Sequence, residues 1–186
     1  MTMNIAEFWA ICIKFMWGED YVNGVISFLK KHNAQSILDC AGGNGFPSIE
    51  LKKRGFDITY SDGSKLMFDF FAQKLKESGL QIPHHLVIWK ELSTKIHQKF
   101  DAVLCRGNSL IYVNSWDENK ISEISRDNIK QSLKEFYNVI KDGGFLYVDT
   151  TNKKEFKQPK YPIIEEFREK MIALATINGH ETINEP

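Results

Sequence analysis

Cysteine is scarce in this chain: among 186 residues only Cys12, Cys40 and Cys105 occur, too far apart for the paired spacing of a metal or redox site. They read as small buried hydrophobes. Neither sign of charge is in excess, since 24 Lys plus Arg balance 24 Asp plus Glu. Such a chain has no field to hold nucleic acid or an anionic membrane, and a small molecule is the default partner. No stretch approaches about 18 consecutive apolar residues, and the apolar start carries Glu7 and Lys14 and lacks a small-residue cleavage pattern. The expected location is therefore cytoplasmic. Five prolines and 12 glycines are too few for a disordered or fibrous class, and with 42% hydrophobic residues one globular domain is expected. Repeats and low-complexity tracts are absent. The five histidines, His84 and His85 included, show no metal-ligand spacing on a helix face. They are expected in exposed loops, and no metal is expected.

What is present is an alternation of helical and extended patterns. Tyr21 to His32 carries a helical apolar stripe, and Ser36 to Cys40 reads as a short buried strand. Pro47 suits the first turn of a helix running through Ile49 and Leu51 to Gly55. FDITYSD is the next strand. Ser64 can cap a helix that Gly79 ends, HLVIW reads as a third strand and FDAVLC as a fourth. Asp127 to Ile140 places Ile129, Leu133, Phe136, Tyr137 and Ile140 on one helical face, and KDGG turns the chain into a fifth strand, FLYVDT. This alternation predicts a doubly wound, mostly parallel α/β sheet with helices on both faces, Rossmann-like in class. The lysines at 153, 154, 157 and 160 read as a solvated loop.

The most informative stretch is ILDCAGGNG, Ile37 to Gly45. In a doubly wound sheet the ligand lies beyond the carboxyl ends of the strands, where the first strand turns into its helix. Gly43 and Gly45 permit positive φ and close approach of a ligand to the backbone, and Asp39 is poised to accept from its hydrogen-bond donors. Asp62 ends the second strand, about where a Rossmann-type fold keeps the carboxylate that grips a ribose diol. The loop does not follow G-x-G-x-x-G, and Asp39 would repel a pyrophosphate. A cationic, diol-bearing ligand fits better, which points to S-adenosylmethionine.

ILDCAGGNG resembles the first motif of class I S-adenosylmethionine-dependent methyltransferases, and YSDGSKLM resembles their second. FDAVLCRGNSLIYV and VIKDGGFLYVDTTN are similar to later segments of the glycine and sarcosine N-methyltransferase branch. The likeness runs from about Tyr21 to Asn152. It implies that Asp39, Gly43 and Gly45 hold the methionine part of the cofactor and Asp62 its ribose hydroxyls, with Ala41, Gly63 and Met67 also among the cofactor-binding residues. Trp89 would pack by the adenine, and Ile88, standing where the branch often has an asparagine, contributes backbone only. The backbone of Arg106 would meet the cofactor ammonium, and Tyr21 would cover the cofactor. Asn108 would face cofactor and acceptor, with Tyr112 near the acceptor. For each residue a plainer reading stands beside this one: a tight turn for the glycines, a core tryptophan, a loop asparagine bonding its own turn.

Two departures from the branch stand out. An arginine after the fifth strand clamps the substrate carboxylate in glycine methyltransferases, but Thr151 occupies that position and cannot form a bidentate ionic fork. The stretch after Asn152 is also short: one helix, PIIEEFREKMIALA, and an Asn178-Gly179 turn. One methyltransferase domain is therefore expected, with N-terminal helices or a lid at 1–33, a cofactor-binding core at 34–152 and an incomplete or shortened part at 153–186. Its expected reaction is methyl transfer to a small-molecule acceptor, an amine nitrogen of glycine or sarcosine type. O-methylation of a metabolite and a non-catalytic S-adenosylmethionine-binding module are the alternatives. A homo-oligomer contact through Trp9, Phe15 and Trp17 is left open beside a helix packed on its own domain.

Overall fold

A computed structural model describes residues 5–113 and 123–149. Helix α1 (Ile5–Met16) falls in a unit separate from Trp17–Thr150, the unit that carries the sheet. Within the second unit α2 (Gly18–Lys31) precedes β1 (Ser36–Asp39), α3 (Ser48–Lys53), β2 (Asp57–Asp62), α4 (Lys65–Ser78) and β3 (His84–Leu86). A 3-10 turn (Trp89–Glu91), α5 (Leu92–Lys95), β4 (Phe100–Cys105), a second 3-10 turn (Ser109–Val113), α6 (Glu123–Asn138) and β5 (Ile140–Val148) follow.

The strands pair in parallel in the order β3-β2-β1-β4-β5. The chain builds outward from β1 to β3, then crosses to β4 on β1's other side. That reversal leaves a crevice between the carboxyl ends of β1 and β4. Alternation along the strands explains why both faces must be covered. Ile37, Ile58, Tyr60, Ala102 and Leu104 pack with Val22, Ile26 and Leu29 of α2, Leu51 of α3, and Phe71 and Leu75 of α4. Leu38, Val103 and Cys105 pack on the other face with Val87, Leu92, Ile96, Phe136 and Val139. Each fully buried Val, Leu, Ile or Phe among them stabilises the fold by about 1.5–3 kcal/mol.

Local signals place the ends of these elements. The Ser64 hydroxyl accepts from Met67 N–H at 3.4 Å and starts α4, while Gly79 ends it in the left-handed region at φ 69°. Four expectations need correction. The third strand stops at Leu86, so Trp89 begins a 3-10 turn rather than ending a strand. His84 and His85 lie in that strand, not in a loop. The buried side of α6 is centred on Ser132 and Phe136, whereas Tyr137 is 76% exposed. That face is set by Ser132 returning its hydroxyl to Asn128 O, which lets a polar residue sit in the core. KDGG forms an irregularity inside β5: Phe100 faces Ile140, but Ala102 already faces Phe145. The expected 153–186 segment and its Asn178-Gly179 turn lie outside the described residues.

At the amino ends of the strands, Asp101 ties three of them together. Its carboxylate accepts from Gln35 N–H (3.0 Å), Ser36 N–H (2.7 Å) and Lys141 Nζ (2.8 Å). Burial opposes its charge, but these donors hold the carboxyl well below the usual range.

Candidate functional site

The loop after β1 is shaped by what its glycines must avoid. A Cβ on Gly42 would lie 2.1 Å from the Tyr60 ring, and one on Gly45 would lie 2.4 Å from Phe71. Gly45 also sits at φ 88° and Gly43 at φ 52°. The loop therefore lies flat on the β2–α4 layer. Tyr60 holds it there, its ring stacked 3.8 Å from Phe71 and its hydroxyl donating to Gly43 O at 2.7 Å. Burial raises the Tyr60 pKa, and Asp62 and Asp39 raise it further, so the hydroxyl stays a donor.

Asp62 faces the same loop from the end of β2. Its Oδ2 accepts from Gly43 N–H and its Oδ1 from Ser64 N–H, both at 2.7 Å. Burial pushes its carboxyl pKa up, partly offset by these two donors, with Asp39 adding to the rise. Each oxygen keeps a lone pair for a further donor. Gly63 lies against Ile88, which is 50% exposed, and Met67 is half-buried in the first turn of α4, its N–H bonded to Ser64. Trp89 comes in from the other face of the sheet. Its indole N–H donates to Cys40 O at 2.6 Å and its ring meets Phe136 edge-on, which makes it a strut under the loop.

Asp39 is 1% exposed and already engaged. Its Oδ2 accepts from Ser48 Oγ at 2.5 Å and from Arg106 Nη2 at 2.9 Å, while Oδ1 accepts from Ala41 N–H at 3.4 Å. The sequence expectation that Arg106 acts through its backbone missed this buried ion pair. A guanidinium in the core needs a partner carboxylate, and the ends of β4 and β1 are neighbours in the sheet. Arg106 also donates to Phe46 O, closing the exit of the glycine loop. Burial works against its charge, but Asp39 and then Tyr21 more than offset that and raise its pKa.

Over this pair lies an aromatic stack. Trp17 stacks on Tyr21 at 5.3 Å and Tyr21 on Phe46 at 5.9 Å, and the Trp17 ring packs against Gly107. Burial raises the Tyr21 pKa, with Arg106 lowering it and Asp149 raising it. Tyr21 Oη and Arg106 Nε have no strictly aligned hydrogen-bond partner among the described residues, but the two side chains are close enough to hydrogen-bond each other, and this contact helps raise the Arg106 pKa. Beside them Asn108 takes the left-handed region at φ 56° and its N–H donates to Asp149 Oδ1 at 2.6 Å. Tyr112 lies half-buried in the following 3-10 turn, its pKa raised by burial.

The structure thus brings Tyr21, Asp39, Ala41, Gly43, Gly45, Asp62, Arg106 and Asn108 to the carboxyl ends of β1, β2 and β4. Ile88 and Gly63 form one end of this row, and Trp89 supports it from behind. Sequence reasoning missed Gly42, Ser48, Tyr60 and Asp149. Ser48 and Tyr60 read locally as helix and strand residues, and only the folded chain reveals what they bond.

A sequence family described as "Methyltransferase domain" matches residues 37–144. Among curated relatives, glycine/sarcosine N-methyltransferase of Aphanothece halophytica is 36% identical over 129 residues, covering 68% of this chain and 44% of its own length. The protein of the same name from Parasynechococcus marenigrum is 35% identical over 127 residues, covering 68% of this chain and 42% of its own. The chain thus spans less than half the length of these relatives. A crystal structure of an S-adenosylmethionine-dependent methyltransferase from Clostridium acetobutylicum superimposes with a TM-score of 0.65 at 22% identity, covering 82% of this chain and 59% of that one, a likeness of fold.

Proposed function

From the premise that this chain belongs to the methyltransferase-domain family, we propose that it binds S-adenosylmethionine along the β1 loop and transfers its methyl group to the nitrogen of a small amine. The observation that carries this reading is the pairing of Asp62 with the Gly43 backbone. A carboxylate held by the N–H of a glycine loop at the crevice of a doubly wound sheet is a receptor for a ribose diol. The residues fit such a cofactor in two further ways. Gly42 and Gly45 let the loop lie close against Tyr60 and Phe71, where a Cβ would collide, and Tyr21 Oη and Arg106 Nε set two buried polar atoms beside it that meet no strictly aligned partner among the described residues.

When bound, S-adenosylmethionine supplies an electrophilic methyl group on a sulfonium. The chain's task is alignment and exclusion of water. In this reading Asp62 accepts from the ribose hydroxyls, and the loop from Ala41 to Gly45 backs the methionine part. Ile88, Gly63 and Met67 border the adenine side. The Trp17–Tyr21–Phe46 stack covers the crevice. Asn108 is held in a left-handed turn by Asp149 and presents its side chain at the mouth, with Tyr112 following. An amine that arrives unprotonated needs no strong general base, which agrees with an amide at this position.

The names of the relatives favour glycine or sarcosine as acceptor, and the finer assignment is part of the proposal. Thr151, expected where an arginine would clamp a carboxylate, lies outside the described residues. Incubation with S-adenosylmethionine and a panel of amines, amino acids and hydroxylated metabolites, read by mass, tests the reaction. A methyl group gained on an amine supports the proposal. Methylation of hydroxyls alone, or cofactor binding with no methyl gained anywhere, contradicts it.

A further inference from the structure

A cavity of about 340 Å³ opens between α3 and α4, at the lower end of the size range of small-molecule sites. Gly45 and Phe46 of the β1 loop contribute to its lining, but Asp62, Gly63, Ile88 and Arg106 do not, so it is a second concavity and not the crevice. Phe46 and Ile49 supply its apolar surface. Its charges come from Glu50 and Lys53 of α3 and from Lys74 and Glu77 of α4.

These charges are unevenly satisfied. Glu50 is held by both Lys53, at 2.9 Å, and Arg54, at 3.5 Å, and Glu77 accepts from Gln73 Nε2 at 3.1 Å. Lys74 is half-buried, with its Nζ 5.4 Å from the centre of the Phe70 ring, and no hydrogen bond or ion pair joins it to a described residue. Burial lowers its pKa; Glu77 and then Glu50 oppose that without cancelling it, and Lys53 adds to the lowering. The Lys74 ammonium, with three donors, therefore stands where an added anion stabilises it. Glu50 and Glu77 on the same cavity would repel a dianion about twice as strongly as a single charge, which favours a monoanion. Phe46 and Ile49 suit an apolar body attached to it.

We propose that this cavity binds a small organic monocarboxylate, its carboxylate accepting from the Lys74 ammonium with Lys53 adding attraction, and its apolar body lying on Phe46 and Ile49. The site goes beyond the methyl-transfer reading and does not depend on it. Gly45 and Phe46 also belong to the loop that Arg106 closes, so an occupant touches that loop.

Benzoate is the probe, benzamide its neutral counterpart and sulfate a dianion without an apolar body. In titrations of the full chain followed by backbone amide NMR, benzoate should saturate with a Kd of about millimolar order and shift the signals of Gly45, Ile49 and Lys74. Benzamide and sulfate should each bind about tenfold or more weakly. Lys74→Met keeps an apolar stem without the charge, and should weaken benzoate about tenfold while leaving benzamide unchanged. Lys74→Arg restores the charge and should recover most of the affinity. The comparison of benzoate with benzamide on the wild-type chain needs no variant and carries the test should Lys74→Met fail to fold. The proposal is overturned if benzoate gives no saturable shift, or if benzamide or sulfate binds as tightly as benzoate. Undiminished benzoate binding in folded Lys74→Met overturns it as well. So do shifts confined to Gly63 and Asn108, which would put the probe in the crevice.

Discussion

A single carboxylate, Asp62, joins the loop to the ligand reading, because its two oxygens hold the N–H groups of Gly43 and Ser64. Asp62→Ala should lower S-adenosylhomocysteine affinity by about tenfold or more, measured by calorimetry. Its pH dependence follows from burial, which raises its pKa above 3.8. The carboxylate is the form that accepts from two hydroxyls, so affinity should fall with decreasing pH around a midpoint above 3.8, while Asp62→Asn should lack that step. A wild-type midpoint at or below the ordinary aspartate value would contradict this account. Gly45 offers a second test. At φ 88° and with Phe71 at 2.4 Å from a built Cβ, Gly45→Ala should cost about 2–4 kcal/mol in denaturant unfolding. Both residues were legible in the sequence, since glycine at a strand end and an acid at the next strand's end are local signals. The Asp39–Arg106 pair was not. The two lie 67 positions apart, and only the crossover that sets β4 beside β1 makes them partners.

Among the elements, the clearest signals were chain punctuation. Ser64 and Gly79 bound α4 as their chemistry demands, and Gly79 separates backbone strain from crowding because nothing lies within 4 Å of a Cβ built there. Gly79→Ala should therefore cost only about 1 kcal/mol, well below Gly45→Ala in the same assay. Asp101 binds the starts of β1, β4 and β5, and its low pKa makes it a pH-dependent fastener. A depressed carboxyl contributes stability that is complete above the unfolded value of about 4 and is lost as pH falls toward the folded one. Asp101→Asn should lose about 1–2 kcal/mol at pH 7, with the gap to wild type closing below about pH 4. A gap that stays constant down to pH 2 would refute this assignment. What the sequence did not reveal at this scale was geometry set by neighbours. The third strand stops at Leu86, its last ladder bond being Val87 N–H to Asp62 O before the 3-10 turn at Trp89, and the buried face of α6 rotates to place Ser132 inward. Hydrophobic period alone cannot distinguish Tyr137 from Ser132 in that role.

For the whole molecule, alternating elements made a wrapped parallel sheet the natural expectation, and the order β3-β2-β1-β4-β5 gives it the switch-point crevice at which doubly wound sheets bind their ligands. No helix among the described residues is long and apolar enough to cross a membrane. Strand order itself could not be read from residues, because the central strands β1 and β4 are buried on both faces and their patterns do not say which neighbour each takes. The resemblance to a methyltransferase supplied what periodicity could not. The measurement that tests the central claim most directly is calorimetric titration of the folded chain with S-adenosylmethionine and S-adenosylhomocysteine, repeated on Asp62→Ala. Saturable binding with a Kd of about micromolar order, lost in the variant, is the predicted result. No heat of binding from a chain shown by circular dichroism to be folded, or equal affinity in Asp62→Ala, would contradict it.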